Sequence, residues 1–322
     1  MAFPWIPYFC RQVMEVVHDI SVLKNLVHPI VTIGTYDGVH LGHQKIIRRI
    51  IDKARETHRK SILITFDNHP RKILMGDSVP LLNTLEEKSE LLKKLGLDYM
   101  LVIPFNPVFA AKSALDFIQE YLIDHLNIGE IVIGHDHQFG NKREGNMQLL
   151  KEVLLPMNRI VSEISAEEID EVVVSSSKIR NALAKGEVGL AKELLGYAYF
   201  LQGEVILGNQ LGRTLGYPTA NLAIQNPDKL IPANGVYAVE VEHLGEIHRG
   251  MMNIGFRPTV EKTLKRALEV HLFDFNSDIY GKTLKIHFLH KVREEVKFVD
   301  LPALKNQLAL DEKNIRDLFS LV

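Results

Sequence analysis

Between Met14 and about Ile164 short apolar runs alternate with helical patterns, and near Tyr199 that alternation stops. Strand patterns fall at 30–35, 61–66, 99–105, 130–134 and 159–164, with helical patterns at 44–57, 84–95, 113–126 and 146–155 between them. Ile46, Ile47, Ile50 and Ile51 recur at helical spacing, and Thr84 followed by Glu87 reads as a capping box. The strands are apolar almost throughout, as expected where helices cover both faces of a sheet. This half therefore predicts a doubly wound α/β fold with a parallel sheet. Beyond Tyr199 the period is two. Tyr237, Val239 and Val241 alternate with Glu240 and Glu242, and Leu268, Val270 and Leu272 with Glu269 and His271; Leu284, Ile286 and Phe288 repeat the stripe. Leu244-Gly245 reads as a hairpin turn. This half predicts antiparallel strands, a small β-barrel or sandwich, closed by a helix at 301–319. A connecting helix is expected at 185–197.

Ligands of a parallel sheet bind at the carboxyl ends of its strands. Three unusual segments fall there: 34–43, 67–70 and 134–140. In the first, Gly34-Thr35-Tyr36-Asp37-Gly38-Val39-His40-Leu41-Gly42-His43 joins an apolar strand to a helix. Glycine lets backbone approach an anion, and a helix start offers unpaired N–H groups and the positive end of the dipole. Two imidazoles three residues apart lie on one face there. The arrangement suits a nucleotide phosphate, with neither histidine acting as a covalent nucleophile. A metal site is the alternative reading of two such histidines. It needs further ligands, and Leu41 stands where the helical metalloprotease pattern carries Glu. Asp37 sits in the tight turn, where a structural role suits it equally. Farther on, Ser175-Ser176-Ser177-Lys178-Ile179-Arg180 opens another helix. Hydroxyls, free N–H groups and two cations could grip a phosphate there, or simply form a capped, solvated helix start.

A length of 322 residues favours two domains. The formal net charge of −2 gives no reason to expect nucleic acid or an anionic membrane as partner. Cys10 is the only cysteine, so no internal disulfide can form and a reducing, cytoplasmic setting is expected. No apolar run reaches the roughly 18 residues that would mark a membrane span. Residues 1–13 lack the basic start of a signal peptide. They read as an unstructured extension, or as the product of an upstream start that is not the natural one.

In the second half, Gly208-Asn209-Gln210-Leu211-Gly212-Arg213-Thr214-Leu215-Gly216-Tyr217-Pro218-Thr219-Ala220-Asn221 stands out. Its glycines could merely build turns, and it matches neither a P-loop nor a dinucleotide fingerprint. Thr219 and Asn221 offer two hard oxygen donors of the kind Mg²⁺ takes together with nucleotide phosphates.

Taken in order, these segments resemble the bifunctional riboflavin kinase/FMN adenylyltransferases, the prokaryotic FAD synthetases. The resemblance runs from about Met14 to Phe319. The stretch 34–43 is similar to the adenylyltransferase signature and 174–180 to its second nucleotide motif. Gly216-Tyr217-Pro218-Thr219-Ala220-Asn221 is similar to the kinase motif. Asn234 to Ala238, Asn253 to Thr259, Glu269-Val270-His271 and Ile279-Tyr280-Gly281 follow in the family's order. The resemblance implies a Rossmann-like FMN adenylyltransferase domain at 14–184, a linker helix at 185–198 and a β-barrel riboflavin kinase domain at 199–322. It implies that His40 and His43 hold ATP phosphates, with Gly34 and Asp37 in the same loop, and that Ser176, Lys178 and Arg180 steady the same triphosphate. His69 and Asp136 would lie near nucleotide and flavin. In the kinase half, Thr219 and Asn221 would bind Mg²⁺ with ATP, beside Gly208, Gly212 and Arg213. Glu269 would act as general base on riboflavin, and Asn253 to Thr259, with Arg257 among them, would border the flavin. Asn68, the pair His137-Gln138 and Phe256 depart from the commonest family pattern, all on the flavin side.

Three rival readings are an enzyme with one half degenerate, a flavin-binding protein without turnover, and a different nucleotidyltransferase. The first conflicts with both motif groups being intact. The second has no use for paired phosphate-gripping residues. The barrel half tells against the third.

Overall fold

The computed structural model describes residues 14–76, 79–165, 174–208, 211–258 and 264–320. The expected extension at 1–13 lies outside them. Two compact units result, the first ending at Val174 and the second beginning at Ser175.

Six strands form the sheet of the first unit: β1 (Glu15–Val17), β2 (Ile30–Ile33), β3 (Ser61–Phe66), β4 (Tyr99–Ile103), β5 (Glu130–Gly134) and β6 (Ile160–Ile164). All pair in parallel, in the order β1-β4-β3-β2-β5-β6. Alternate residues on each strand feed opposite cores. Val31, Ile33, Ile62, Ile64, Ile131 and Ile133 pack with Phe117, Leu122, Leu150 and Leu154 on one face. Ile30, Leu63, Met100, Val102 and Val132 meet Ile46, Ile47, Ile50, Ile51 and Leu92 on the other. Each such isoleucine contributes about 1.5–3 kcal/mol by leaving water, so the helix Leu41–Glu56 is held mainly by its buried stripe. Strand order reverses between β2 and β5. That reversal opens a crevice at the carboxyl edge of the sheet, where an α/β fold takes its ligand.

The remaining helices follow the expected patterns with local differences. Leu85–Leu95 carries the capping box, with Thr84 and Glu87 each accepting from the other's backbone N–H. Met147–Leu154 is capped by Asn146. The helix expected at 113–126 begins as Ala114–Phe117, capped by Ser113, and widens to a π-type helix over Ile118–His125.

In the second unit, β7 (Phe200–Ile206), β8 (Ala220–Ala223), β9 (Gly235–His243), β10 (Glu246–Pro258), β11 (Leu264–Leu272) and β12 (Thr283–Arg293) close an antiparallel barrel. Their order is β10-β11-β8-β7-β12-β9. Tyr237, Val239, Val241, Leu268, Val270, Leu284, Ile286 and Phe288 are buried, as the two-residue period requires. Leu244 and Gly245 both take positive φ (50° and 85°), the backbone of a tight hairpin turn between β9 and β10. The terminal helix Leu301–Ser320 packs Ile315 and Phe319 against Met251 and Phe273. Arg293 donates to both carboxylate oxygens of buried Asp311 and so ties that helix to β12.

Two helices precede the barrel: Ser176–Lys185 and Val188–Leu195. Gly186, with φ 78°, ends the first, so the connecting helix is shorter than 185–197. Within the unit the Ala233 N–H donates to Leu183 O at 2.9 Å. Val188, Ala191 and Leu195 are buried. A fragment of residues 175–322 is therefore expected to unfold at a higher temperature than one of residues 199–322, by thermal denaturation followed with circular dichroism. Equal midpoints would mean that the helices contribute nothing to the barrel.

Candidate active site

The loop leaving β2 is bent by its sequence. Tyr36 (φ 47°), Gly38 (φ 88°) and Val39 (φ 37°) all lie in the left-handed region. Two of them are not glycine, so surrounding contacts must hold this backbone. Asp37 is one such contact. Its buried carboxylate accepts from the N–H groups of Leu82 (3.0 Å) and Asn83 (3.1 Å). Tyr36 is another, its hydroxyl 2.7 Å from Thr32 Oγ1. A Cβ on Gly34 would stand 3.0 Å from the Tyr36 ring, so a side chain there would press on the tyrosine. Asp37 thus anchors the loop, in line with the structural alternative for this residue.

The helix begins at Leu41, three residues before the expected 44, and His40 is its N-cap. His40 Nδ1 accepts from the His43 N–H at 3.3 Å. In the neutral ring this puts the proton on Nε2, the edge facing away from the cap. The two imidazoles stack with centroids 3.5 Å apart and planes 17° off parallel. Burial, the His40 ring and Lys88 together hold His43 well below its ordinary pKa. Two cations at that separation would repel strongly, so at most one ring of the pair is charged. His43 Nδ1 is buried and meets no hydrogen-bond partner among the described residues.

The other two expected loops reach the same sheet edge, because β3 and β5 flank β2 in parallel. His69 caps the short helix Pro70–Met75, its Nδ1 accepting from the Arg71 N–H at 3.2 Å. Asp67 accepts from the Phe105 N–H at 2.8 Å and holds its own loop to the end of β4. Asp136 is exposed beyond β5. His137 stacks on Phe139 at 6.0 Å, and burial lowers its pKa to about 4, so the ring is neutral.

Lys88 is a residue of this region that sequence patterns do not single out. It is 6% exposed, and its ammonium donates to Thr35 O at 2.6 Å and Thr65 Oγ1 at 3.3 Å. Ser176, Lys178 and Arg180 open the helix Ser176–Lys185, which the packing places with the second unit. Its cap is Ser175, whose Oγ accepts from the Lys178 N–H at 3.3 Å.

In the barrel, register assembles the expected kinase residues. Asn221 on β8 lies opposite Glu269 on β11, and Glu269 lies opposite Asn253 on β10. Because Leu268 and Val270 point into the core, Glu269 points outward with its cross-strand neighbours. An amide, a carboxylate and a second amide therefore stand in one row on the outer face. The loop between β7 and β8 closes on that row. A Cβ on Gly208 would stand 2.1 Å from Asn221 Nδ2, and one on Gly212 would stand 2.3 Å from Tyr217 O and 3.4 Å from Thr219 Oγ1. Both glycines allow a close approach that no side chain would permit. His271 Nδ1 lies 2.7 Å from Pro218 O and pins the segment before Thr219. Arg213 is exposed in that loop, and the backbone of Arg257 stands in register with that of Lys265 near the end of β10. Asn209, Gln210 and Thr259 lie outside the described residues.

Two family models match the chain in tandem. A family model described as FAD synthetase matches residues 23–178, and one described as riboflavin kinase matches residues 195–319. The bifunctional riboflavin kinase/FMN adenylyltransferase of Haemophilus influenzae is 40% identical over 291 residues, covering 90% of this chain and 94% of that protein. The protein of the same name from Bacillus subtilis is 38% identical over 295 residues, covering 90% and 92%. A crystal structure from Streptococcus pneumoniae, described as a macrolide-efflux protein, matches with a TM-score of 0.84 at 31% identity, over 94% of this chain and 99% of that one. Among the described residues of this chain no helix is long and apolar enough to cross a membrane. By two family matches in tandem, and by identity over nearly the whole length of its relatives, the chain belongs to the bifunctional riboflavin kinase/FMN adenylyltransferases.

Proposed function

We infer that this chain makes FAD in two steps, phosphorylating riboflavin to FMN with ATP and then adenylylating FMN with a second ATP. Both are in-line displacements at phosphorus, in which positioning and charge stabilisation supply most of the rate. The single observation that carries the reading is the pairing of two intact residue sets, one in each unit: the stacked His40–His43 pair at a helix start, and the Asn221–Glu269–Asn253 row beside Thr219.

At the sheet edge the phosphate of FMN is already an anion and needs no strong base to attack the α-phosphorus of ATP. What the site must supply is hydrogen-bond donors to the α-phosphate and to departing pyrophosphate. His40 Nε2 and the N–H groups at the start of the helix Leu41–Glu56 are suited to that task. Gly34 keeps the backbone open to the nucleotide, and Asp37 acts through the loop it anchors. His69 and Asp136 belong to the two flanking loops and border the substrates. Ser176, Lys178 and Arg180 form a second phosphate-gripping helix start.

In the barrel, the riboflavin hydroxyl must lose a proton as it attacks the γ-phosphorus. Glu269 is the carboxylate placed to take it. Thr219 Oγ1 and the Asn221 amide oxygen fit Mg²⁺. They are hard oxygen donors, and no cluster of three His, Cys, Asp or Glu side chains among the described residues forms a metal cage by itself. Such a donor set completes its shell with nucleotide phosphate and water, as Mg²⁺ does. When bound, the ion neutralises phosphate charge. Gly208, Gly212 and Arg213 border the ATP phosphates, and Asn253 and Arg257 the flavin side.

The test is a time course with riboflavin, ATP and Mg²⁺, following riboflavin, FMN and FAD by HPLC. FMN should rise first and FAD follow. Accumulation of FMN alone would leave the first unit without its activity. One substitution probes the barrel cradle. Gly208→Ala puts a methyl group where the Asn221 amide lies. It is expected to lower kcat/KM for FMN formation about tenfold or more by displacing that amide, with conversion of supplied FMN to FAD unchanged.

A further inference from the structure

We propose that Lys88 is a positioning residue for adenylyl transfer, an internal cation that fixes the carbonyl of Thr35 and thereby the shape of the loop carrying His40 and His43. The proposal rests on the reading that FMN is adenylylated at this sheet edge.

The geometry comes first. Lys88 lies in the first turns of the helix Leu85–Leu95, and its side chain reaches under the carboxyl ends of β2 and β3. Thr35 O accepts from Lys88 Nζ at 2.6 Å and from Thr65 Oγ1 at 3.3 Å. One residue later the backbone turns left-handed at Tyr36. On the far side of that turn the Asp37 carboxylate is held by the N–H groups of Leu82 and Asn83. A single stretch, 82–88, therefore grips the loop on both sides of Tyr36. His40 and His43 follow directly, and the Lys88 charge acts on the His43 ring.

Energetics then argue against a purely structural purpose. Both oxygens that Lys88 bonds are neutral. Asp37 favours its charge, yet burial outweighs that help and lowers its pKa from 10.5 to about 8. A buried ammonium in this state costs folding free energy, whereas an apolar side chain of similar length would not. A group that costs stability and sits beneath a reacting site is a candidate for function.

The experiment compares the full chain with its Lys88→Met, Lys88→Arg and Thr65→Val variants. Each is assayed for FMN-to-FAD conversion and for riboflavin phosphorylation in the same preparation, with Tm measured alongside. K88M is expected to keep or raise Tm and to leave riboflavin phosphorylation unchanged. Its kcat for FAD formation should fall roughly 10- to 100-fold, as misplacement of reacting groups does, with KM for FMN little altered. K88R should recover part of that kcat. T65V, which removes one partner of both Lys88 and Thr35 O, should lower it several-fold. A K88M protein that forms FAD at the wild-type rate overturns the proposal. So does a folded K88M protein that loses many degrees of Tm, because Lys88 would then serve the core. If K88M does not fold, a T65V protein with unaltered kcat is enough to reject the idea. A wild-type chain unable to convert FMN would instead defeat the underlying reading of the site.

Discussion

Glu269→Gln is expected to slow FMN formation by roughly 10²- to 10⁴-fold, the usual contribution of a positioned general base, while conversion of supplied FMN to FAD continues at the wild-type rate. Glutamine keeps the shape of the side chain and its place in the row between Asn221 and Asn253. What it loses is the capacity to take a proton and the negative charge. Loss of packing would raise KM or lower Tm, whereas loss of the base should lower kcat with KM for riboflavin little changed. The two activities reside in one chain, so each serves as the folding control for the other. A folded E269Q protein that lost both activities, or neither, would contradict the assignment. Asn221→Ala makes a useful comparison. It should raise the Mg²⁺ and ATP concentrations needed for FMN formation, and abundant Mg²⁺ should partly correct it, as it cannot for E269Q.

Much of this was open to reading from local sequence, for a physical reason. The parallel sheet announces itself because Ile30–Ile33, Ser61–Phe66 and Glu130–Gly134 are apolar on both faces and each is followed by a helical stripe. The capping box at Thr84 and Glu87 involves residues one helical turn apart, so pattern and structure coincide. Other features depend on partners distant in the chain. The row Asn221–Glu269–Asn253 exists only through the register of three strands. Lys88 sits on a helix with many charged neighbours, and its burial is decided by where Thr35 and Thr65 lie. Histidine is not a usual capping residue, so the local pattern starts the helix at 44, whereas His40 caps it at Leu41. A three-residue strand such as Glu15–Val17 has no period to detect. The helix Ser176–Lys185 carries a motif suited to phosphate, yet it packs within the second unit, where it buries Ile179, Ala182 and Leu183 and Leu183 O accepts from the Ala233 N–H, contacts that no local pattern encodes.

The proposed function adds a phosphate grip to the observed capping by His40, and a pair of substitutions separates the two. His40→Asn and His40→Ala are each expected to slow FMN-to-FAD conversion about 10²- to 10³-fold, the cost of removing one donor to a phosphorus-centred transition state, or roughly 3–4 kcal/mol. Riboflavin phosphorylation should be unaffected in both. Stability is where the variants diverge. His40 Nδ1 accepts from the His43 N–H and caps the helix Leu41–Glu56. Asparagine is among the best residues at that position, while alanine forfeits about 1 kcal/mol. H40N should therefore melt close to the wild type and H40A several degrees lower, although both are equally poor at making FAD. The ring of His43 stays in each variant without its stacking partner, and burial, the largest cause of its lowered pKa, still acts on it. If H40N proved as active as wild type and only H40A were impaired, the cap would be what matters at this position, and the phosphate grip would have to come from the helix N–H groups alone.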